Sequence, residues 1–329
     1  MHVKPTTKTK PKHFVTPEKT SHHAELLANR VLKRFRHLSR IFQRQNIDCF
    51  RLYDWDIPEV RAVVDWYAGH VVVAEYVRLQ TGLDWLPQMA KAVGKALNLP
   101  AQNVHVKRRR TNTKAGPRYR RMSSKGERFE VREGDLRFWV NLDDFLDTGL
   151  YSDHRDTRVF VRKLAAGTDF LNLYSYTGAF TCAAAAGGAR TTVTVDRSAT
   201  YLEWAKENLK LNRLWGPRHE LVQSDVFRYL EEARRKGRKF TLAFVDPPSF
   251  FRERQEGASF DIDRDHPELL KKVLEVMAPG ARLIFSTNHQ RFTPRFEGLG
   301  VKEITELTPA TIPEDYRNRQ VHHCWQMTV

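Results

Sequence analysis

The stretch that decides the fold runs Phe240-Thr241-Leu242-Ala243-Phe244-Val245-Asp246-Pro247-Pro248-Ser249-Phe250. Its first six residues are apolar or β-branched and read as a buried strand. The two prolines then fix φ, remove two N–H donors and leave carbonyls free to accept from a ligand. A strand ending in Asp-Pro-Pro-x-Phe therefore sets a rigid, acceptor-rich turn at the C-terminal edge of a sheet. Ligands of open α/β sheets bind along that edge. Phe250 stands two residues beyond the second proline, where an aromatic ring can stack on a planar base.

Outward from this stretch the same pattern repeats. Apolar runs occur at 169–174, 191–195, 219–223, 240–245 and 281–286, with helical patterning near 179–187, 198–212, 226–236 and 265–277. Strands alternating with helices imply βαβ units and a mostly parallel sheet. Upstream, 136–142 reads as a strand, and Asp147-Thr148-Gly149 leads to Asp153-His154-Arg155 at a helix start. The strand at 169–174 runs into Asn172-Leu173-Tyr174-Ser175-Tyr176-Thr177-Gly178 ahead of an alanine-rich helix. A tight turn into a helix N-terminus lets backbone approach a cofactor closely. There is no G-x-G-x-x-G, which argues against a dinucleotide. The next strand ends in Asp196, near the ~20-residue separation expected of an acid that accepts from ribose hydroxyls. The third ends at Ser224-Asp225, where a carboxylate suits an adenine amino group. Each acid alone is an ordinary strand end or helix cap. Together, on successive strands of one edge, they describe an α/β, Rossmann-like methyltransferase using S-adenosylmethionine.

The 329 residues carry 55 Lys+Arg against 39 Asp+Glu, a formal net charge of +16. That excess favours a polyanionic partner. Residues 1–21, rich in Lys, Thr and Pro, read as a disordered basic tail. Residues 22–135 read as a small α+β RNA-binding domain, and 136–329 as the methyltransferase domain. In the former, 22–45 reads as an amphipathic helix, with Leu26, Leu27, Val31, Leu32, Phe35, Leu38, Ile41 and Phe42 at helical spacing and Arg30, Lys33, Arg34, Arg36, Arg40 and Arg44 between them on a basic outer face. Strands are expected at 48–53, 62–67, 71–77 and 104–107, and a helix at 85–97. A basic loop follows, with Lys107, Arg108, Arg109, Arg110, Lys114, Arg118, Arg120 and Arg121 as candidate phosphate contacts. No apolar stretch approaches the roughly 18–20 residues that span a bilayer, and the N-terminus has no secretory h-region. Cys49, Cys182 and Cys324 lie far apart without C-x-x-C, against a disulfide framework and in keeping with a cytoplasmic setting. His322-His323-Cys324 looks like half a metal site without a second ligand cluster, so no metal is expected.

The likeness then becomes closer than single motifs. Phe170–Gly178, Thr194–Ala205, Phe260–His266, Asp147–Arg155 and Arg317–Trp325 resemble one family, as do Ala28–Arg30, Asp48–Asp54 and Val63–Tyr67. They are similar to the C-terminal half of the bifunctional bacterial 23S rRNA guanine methyltransferases, the half assigned N7 methylation. The likeness spans about residues 25–329. The family's N-terminal RNA-binding module and second, N2-directed methyltransferase have no counterpart here, so this chain looks like a free-standing N7 half.

The resemblance implies 7-methylguanosine formation at guanine 2069 of 23S rRNA, on the RNA or a large-subunit precursor. It implies that Asp196 holds the ribose and Asp225 the adenine of S-adenosylmethionine. Arg197 and Val226 flank them. The turn with Asn172, Tyr174, Tyr176, Thr177 and Gly178, near Asp153 and Arg155, would hold the methionine end. Asp246, Pro247, Pro248 and Phe250 would hold the base. C5-cytosine methylation needs a thiolate nucleophile, and neither Asp246–Ser249 nor Phe285–Asn288 contains a cysteine. Guanine N7 attacks with an available lone pair, so proximity and orientation suffice. An N2 acceptor, which must shed a proton, remains open, as does a non-catalytic RNA-binding assembly factor.

Overall fold

Apolar strands alternating with amphipathic helices bury both faces of a sheet only when helices cover each side. The computed structural model, which describes residues 15–76, 80–109, 126–252 and 259–329, has that arrangement in the larger of two compact units.

The first unit comprises residues up to Arg44, Phe50–Lys125 and Leu142–Leu146. It holds helix α1 (Pro17–Arg44), strands β1 (Cys49–Asp54), β2 (Ala62–Tyr67) and β3 (His70–Tyr76), helix α2 (Trp85–Ala96) and strand β4 (Val104–Arg109). The four strands form one sheet in that order. β2 and β3 make an antiparallel hairpin, and β4 lies parallel to β3 after the α2 crossover. Helix α1 begins at Pro17 rather than residue 22, drawing 17–21 out of the expected tail. Proline is favoured at a first helical position, and Thr16 Oγ1 accepts from the Lys19 N–H at 3.3 Å. The helix buries Leu27, Val31, Leu38 and Phe42 and exposes Lys33, Arg36, Arg40 and Arg44, while Leu26, Leu32, Phe35 and Ile41, with Arg30 and Arg34, are half-buried at the edges of the apolar face.

The second unit comprises Gln45–Cys49, Gly126–Asn141 and Asp147–Val329. It opens with a hairpin, β5 (Phe129–Glu133) and β6 (Leu136–Val140). Then follow α3 (Arg155–Leu164), β7 (Asp169–Leu173), α4 (Ala179–Ala186), β8 (Thr191–Asp196), α5 (Ala199–Leu211), β9 (His219–Gln223), α6 (Val226–Arg235) and β10 (Phe240–Val245). A small hairpin, β11 (Phe250–Arg252) and β12 (Ser259–Asp261), leads to α7 (Ile262–Leu274) and β13 (Met277–Thr287). The chain closes with β14 (Glu303–Glu306), α8 (Thr308–Thr311) and β15 (His323–Thr328). A boundary between residues 135 and 136 would cut the β5–β6 hairpin. The hairpin is tied to α5 instead: Asn212 accepts from the Arg137 N–H at 2.8 Å and donates to the Arg137 carbonyl at 2.7 Å, and Asn208 accepts from the Trp139 N–H at 2.9 Å. Those amides satisfy strand groups that would otherwise be left open.

The large sheet runs β14-β15-β13-β10-β7-β8-β9. Five neighbours are parallel, while β15 runs antiparallel to both β13 and β14. Alternate residues feed two cores. Leu171, Leu173, Ala243 and Val245 pack with α6 and α7 on one face; Phe170, Leu242 and Phe244 pack with α3 and α4 on the other. The order reverses between β7 and β10, the kind of switch point where such sheets bind ligands. Among the described residues no helix is long and apolar enough to cross a membrane.

Candidate active site

The turn from β7 into α4 is backbone held in an unusual conformation. Tyr174 and Tyr176 have φ of 56° and 50°, and Gly178 has φ of 73°. Left-handed bulky residues cost energy and persist only where surroundings enforce them. Here the Ser175 N–H donates to the Val195 carbonyl at 3.1 Å, and Thr177 Oγ1 donates to the Gly149 carbonyl at 2.6 Å. Asn208 Nδ2 donates to the Thr177 carbonyl at 2.9 Å. Gly178 meets a second demand, because a Cβ there would lie 2.6 Å from Ala205 Cβ. Helix α5 thus packs directly against the turn.

Asp196, at the end of β8, closes the arrangement. Its carboxylate accepts from the Tyr176 N–H at 3.0 Å and from the Ser198 N–H at 2.9 Å. Burial pushes its carboxyl up to about 6, against the pull of those N–H groups. Asp225 caps α6, accepting from the Arg228 N–H at 3.2 Å, and faces Arg197 at 3.5 Å. Val226 begins α6 and is buried. The Tyr174 hydroxyl and Ser175 Oγ are buried with no hydrogen-bond partner among the described residues. Burial, then the charge of Asp225, pushes the Tyr174 phenol up. Unpaired buried polar atoms beside two acidic strand ends are what a polar adenosine moiety would satisfy, so the residues fit S-adenosylmethionine.

Three expected ligand residues are placed differently. Asn172 is buried within the sheet and donates through Nδ2 to Thr181 Oγ1 at 2.9 Å, tying β7 to α4. Arg155 is buried too; its guanidinium donates to the Asp315 carboxylate and, at 3.2 Å, to the Cys49 carbonyl. A guanidinium committed to a buried ion pair is not offered to a methionine carboxylate. Asp153 turns to histidines, as follows.

At the end of β10, Asp246 keeps about a quarter of its side chain exposed (26 %) while Pro247 is buried. His154 Nε2 lies 3.7 Å from Asp246 Oδ2 and 3.8 Å from Asp153 Oδ2. His322 Nδ1 lies 3.3 Å from the same Asp153 oxygen, and its Nε2 lies 3.1 Å from Thr311 Oγ1. Burial, then the Asp153 charge, pushes the Asp246 carboxyl up to about 7. Burial, then His322, pulls the His154 imidazole down to about 3, so it is neutral at physiological pH. Asp153, His154 and His322 bring ligand-type atoms within 4.8 Å of one another. Yet the two rings stack 4.2 Å apart at 14°. A ring lone pair lies in the ring plane, and near-parallel planes do not converge on one ion. In the sequence the two halves of this cluster, Asp153-His154-Arg155 and His322-His323-Cys324, stand 169 residues apart with no local signal that joins them.

Phe250 is 46 % exposed beyond the turn, whereas Phe251 packs on Phe260 with centroids 5.1 Å apart. All three cysteines are buried, and burial pushes their thiols up. None is poised as a thiolate. In the first unit, Lys107 is buried and donates to the Phe145 and Leu146 carbonyls at 2.8 and 3.1 Å, so it is no phosphate contact. Arg108 pairs with Glu75 at 3.0 Å. Arg109 ends β4. Arg110, Lys114, Arg118, Arg120 and Arg121 lie outside the described residues.

The strand order, the strained glycine turn and the acidic strand ends define a class: α/β transferases that bind a nucleoside cofactor at the sheet edge. Residues 56–309 match the model of the S-adenosylmethionine-dependent methyltransferases, and the chain belongs to that family, with S-adenosylmethionine as its cofactor. Two curated relatives bear the name ribosomal RNA large subunit methyltransferase K/L. That of Allochromatium vinosum is 40% identical over 96% of this chain and 45% of its own length; that of Syntrophotalea carbinolica is 42% identical over 94% and 44%. The chain thus spans under half the length of these relatives. Among solved structures, SMU.776, assigned as a methyltransferase and complexed with SAH, shares the fold at TM-score 0.70 with 24% identity, covering 92% of this chain and 82% of that one. A methyltransferase from Agrobacterium tumefaciens shares it at TM-score 0.56 with 17% identity, over 81% and 87%.

Proposed function

We propose that the chain methylates a guanine of 23S rRNA at N7, with guanine 2069 as the family's target. The observation that carries this reading is 40% identity across 96% of the chain to a large-subunit rRNA methyltransferase. The excess of 55 Lys+Arg over 39 Asp+Glu and the basic outer face of α1 support a polyanionic substrate docked by the first unit.

In this reading Asp196 accepts from the ribose hydroxyls, Asp225 from the adenine amino group, and the 174–178 turn cradles the methionine end. The bound cofactor supplies an electrophilic methyl group. Phe250, with its ring exposed, stacks on the guanine, and the Asp246-Pro247-Pro248 turn fixes the polar edge of the base. Guanine N7 attacks in line through its own lone pair, so orientation carries the catalysis. One observation favours a second reading, methylation of the exocyclic N2: Asp246, pushed up to about 7, has the affinity of a general base near neutrality.

The test is methyl transfer from labelled S-adenosylmethionine to unmodified 23S rRNA, followed by borohydride–aniline scission, which cuts at 7-methylguanosine. One discrete cut is expected. Label without a cut would establish another acceptor, N2 foremost. Absence of label from RNA and precursor particles, with cofactor bound, would overturn the RNA reading.

A further inference from the structure

Four ionisable side chains meet at the methyl-acceptor turn, from three places in the chain. Asp153 and His154 come from the turn Ser152–His154, Asp246 from the end of β10 and His322 from just ahead of β15. His154 and His322 are buried at 3 % and 0 % exposure. Their rings stack, and Phe180 and Phe244 stand edge-on to His154 with centroids 5.7 and 6.0 Å away. An apolar contact would join β15 to this turn at lower cost than buried ionisable groups.

The geometry distinguishes the two carboxylates. One imidazole nitrogen, His154 Nε2, lies within 4 Å of both Asp153 Oδ2 (3.8 Å) and Asp246 Oδ2 (3.7 Å). Two carboxylates that share one imidazole neighbour, with side chains 13 % and 26 % exposed, resist ionising together. His322 lies near both, but it is Asp153 that it meets at hydrogen-bond distance, with Nδ1 3.3 Å from Oδ2. An N–H donated there favours the ionised form of Asp153 and leaves the shared proton to Asp246. The Hoogsteen edge of guanine presents two acceptors, N7 and O6. An ionised carboxylate repels that edge, whereas a protonated carboxyl donates to O6 and leaves the N7 lone pair free.

We infer that Asp153 and His322 are positioning residues that keep the proton on Asp246, which then donates a hydrogen bond to the acceptor edge of the guanine. This rests on the N7 reading and deepens it. No proton moves in the transfer step. The N7–methyl bond forms as the sulfonium–methyl bond breaks, and the sulfur keeps the bonding pair. The groups facing Asp246 are Asp153 and His154, His322 ahead of β15, and Ser286 and Cys324 from β13 and β15. Beyond His154 stands Arg158 of α3, paired with Glu133 at 2.6 Å, and beyond His322 stands His323. The Asp246 carboxyl, pushed up to about 7, holds a proton below that pH and loses it above.

The experiment compares single-turnover methyl transfer to 23S rRNA between about pH 6 and pH 9 in the wild type, Asp153→Asn and Asp246→Asn, with S-adenosylmethionine affinity measured alongside. Wild-type transfer is expected to fall on the alkaline side. Asp153→Asn, lacking the like charge, should move that limb about one pH unit lower. Asp246→Asn carries an amide that donates at every pH, so its ratio of alkaline to neutral transfer should exceed the wild-type ratio at least ~threefold. Loss of roughly 100-fold at all pH values in Asp246→Asn would make Asp246 a base and overturn the inference. A uniformly slower Asp153→Asn with an unmoved limb would make the cluster structural and overturn it equally. A readout without RNA separates this from failure of the function itself. The protonated-carboxyl infrared band that Asp246→Asn removes should persist to neutral pH in wild type and vanish at lower pH in Asp153→Asn. That band behaving as stated, with no label on any RNA, would refute the substrate and leave the proton assignment standing; its absence at pH 6 would refute the assignment.

Discussion

Gly178→Ala tests fold and cofactor site together. The new Cβ would lie 2.6 Å from Ala205 Cβ and 3.2 Å from Ala205 Cα, against the ~3.5–4.0 Å at which carbon atoms rest. Either α5 yields by about 1 Å or the turn does. Left-handed backbone, with φ at 73°, adds about 1–2 kcal/mol for a residue with a Cβ, and overpacking adds roughly 1–3 kcal/mol. The sum is about 2–5 kcal/mol, or a Tm fall of roughly 4–20 °C for a unit of this size. Gly237→Ala is the control, because it too is left-handed, with φ at 64°, but has nothing within 4 Å of the new Cβ. It should cost only the backbone term, about 1–2 kcal/mol. Calorimetric titration with S-adenosylmethionine then separates the two. Gly178→Ala should bind at least ~tenfold more weakly, about 1.4 kcal/mol, and Gly237→Ala as wild type. Equal Tm shifts in the two variants would refute the predicted clash with Ala205, and wild-type affinity in a Gly178→Ala variant that has lost the larger amount of stability would refute the coupling of the 174–178 turn to the cofactor.

Asp196→Ala removes the acceptor for the Tyr176 and Ser198 N–H groups and, in the proposed site, for the ribose. Two charge-assisted hydrogen bonds at roughly 1.5–3 kcal/mol each predict at least ~100-fold weaker cofactor binding; calorimetry showing wild-type affinity would refute the assignment. Lys107→Met strips the donor from the Phe145 and Leu146 carbonyls and should cost about 2–4 kcal/mol in urea unfolding. It should leave the salt slope of RNA binding alone, where a phosphate contact would lower it by ~0.9. His154 contributes in the opposite sense to a histidine held charged by an ion pair, because burial favours its neutral form. Its folded pKa, about 3, lies below the unfolded value, so the unfolded chain takes the proton first. The contribution is whole above about pH 6.5 and is lost as pH falls towards 3, roughly 2 kcal/mol of it by pH 5. His154→Phe should therefore lose less stability between pH 7.5 and 5 than the wild type; parallel urea midpoints across that range would show that His154 is not the group responsible.

The parallel sheet and its acidic edge follow from local pattern alone. Runs such as 191–195 and 240–245 are continuous and apolar because strands covered on both faces have no solvent side. Because these strands run parallel, the residues at their C-terminal ends, Asp196 and Asp246, emerge at the same edge. These are local consequences of period and connection length, readable without knowing any partner. The helix start at Pro17 was local too, set by Pro17 and Thr16, yet the surrounding Lys- and Thr-rich composition hid it.

The tertiary structure alone decided which charged groups are spent inside the protein and which reach the site. Arg155 meets Asp315 and Lys107 meets the Phe145 carbonyl. Nothing local to either side chain distinguishes a cation with a buried partner from one in water, because the partner is distant in sequence. His322 reaches Asp153 for a topological reason. β15 runs antiparallel to β13, pairing His323 with Thr287, so the beginning of this strand lies at the edge where the parallel strands end. A strand's direction is set by the connection that returns it. The connection into β15 is long and carries no periodic signal, so the cluster beside Asp246 exists only once the sheet is assembled.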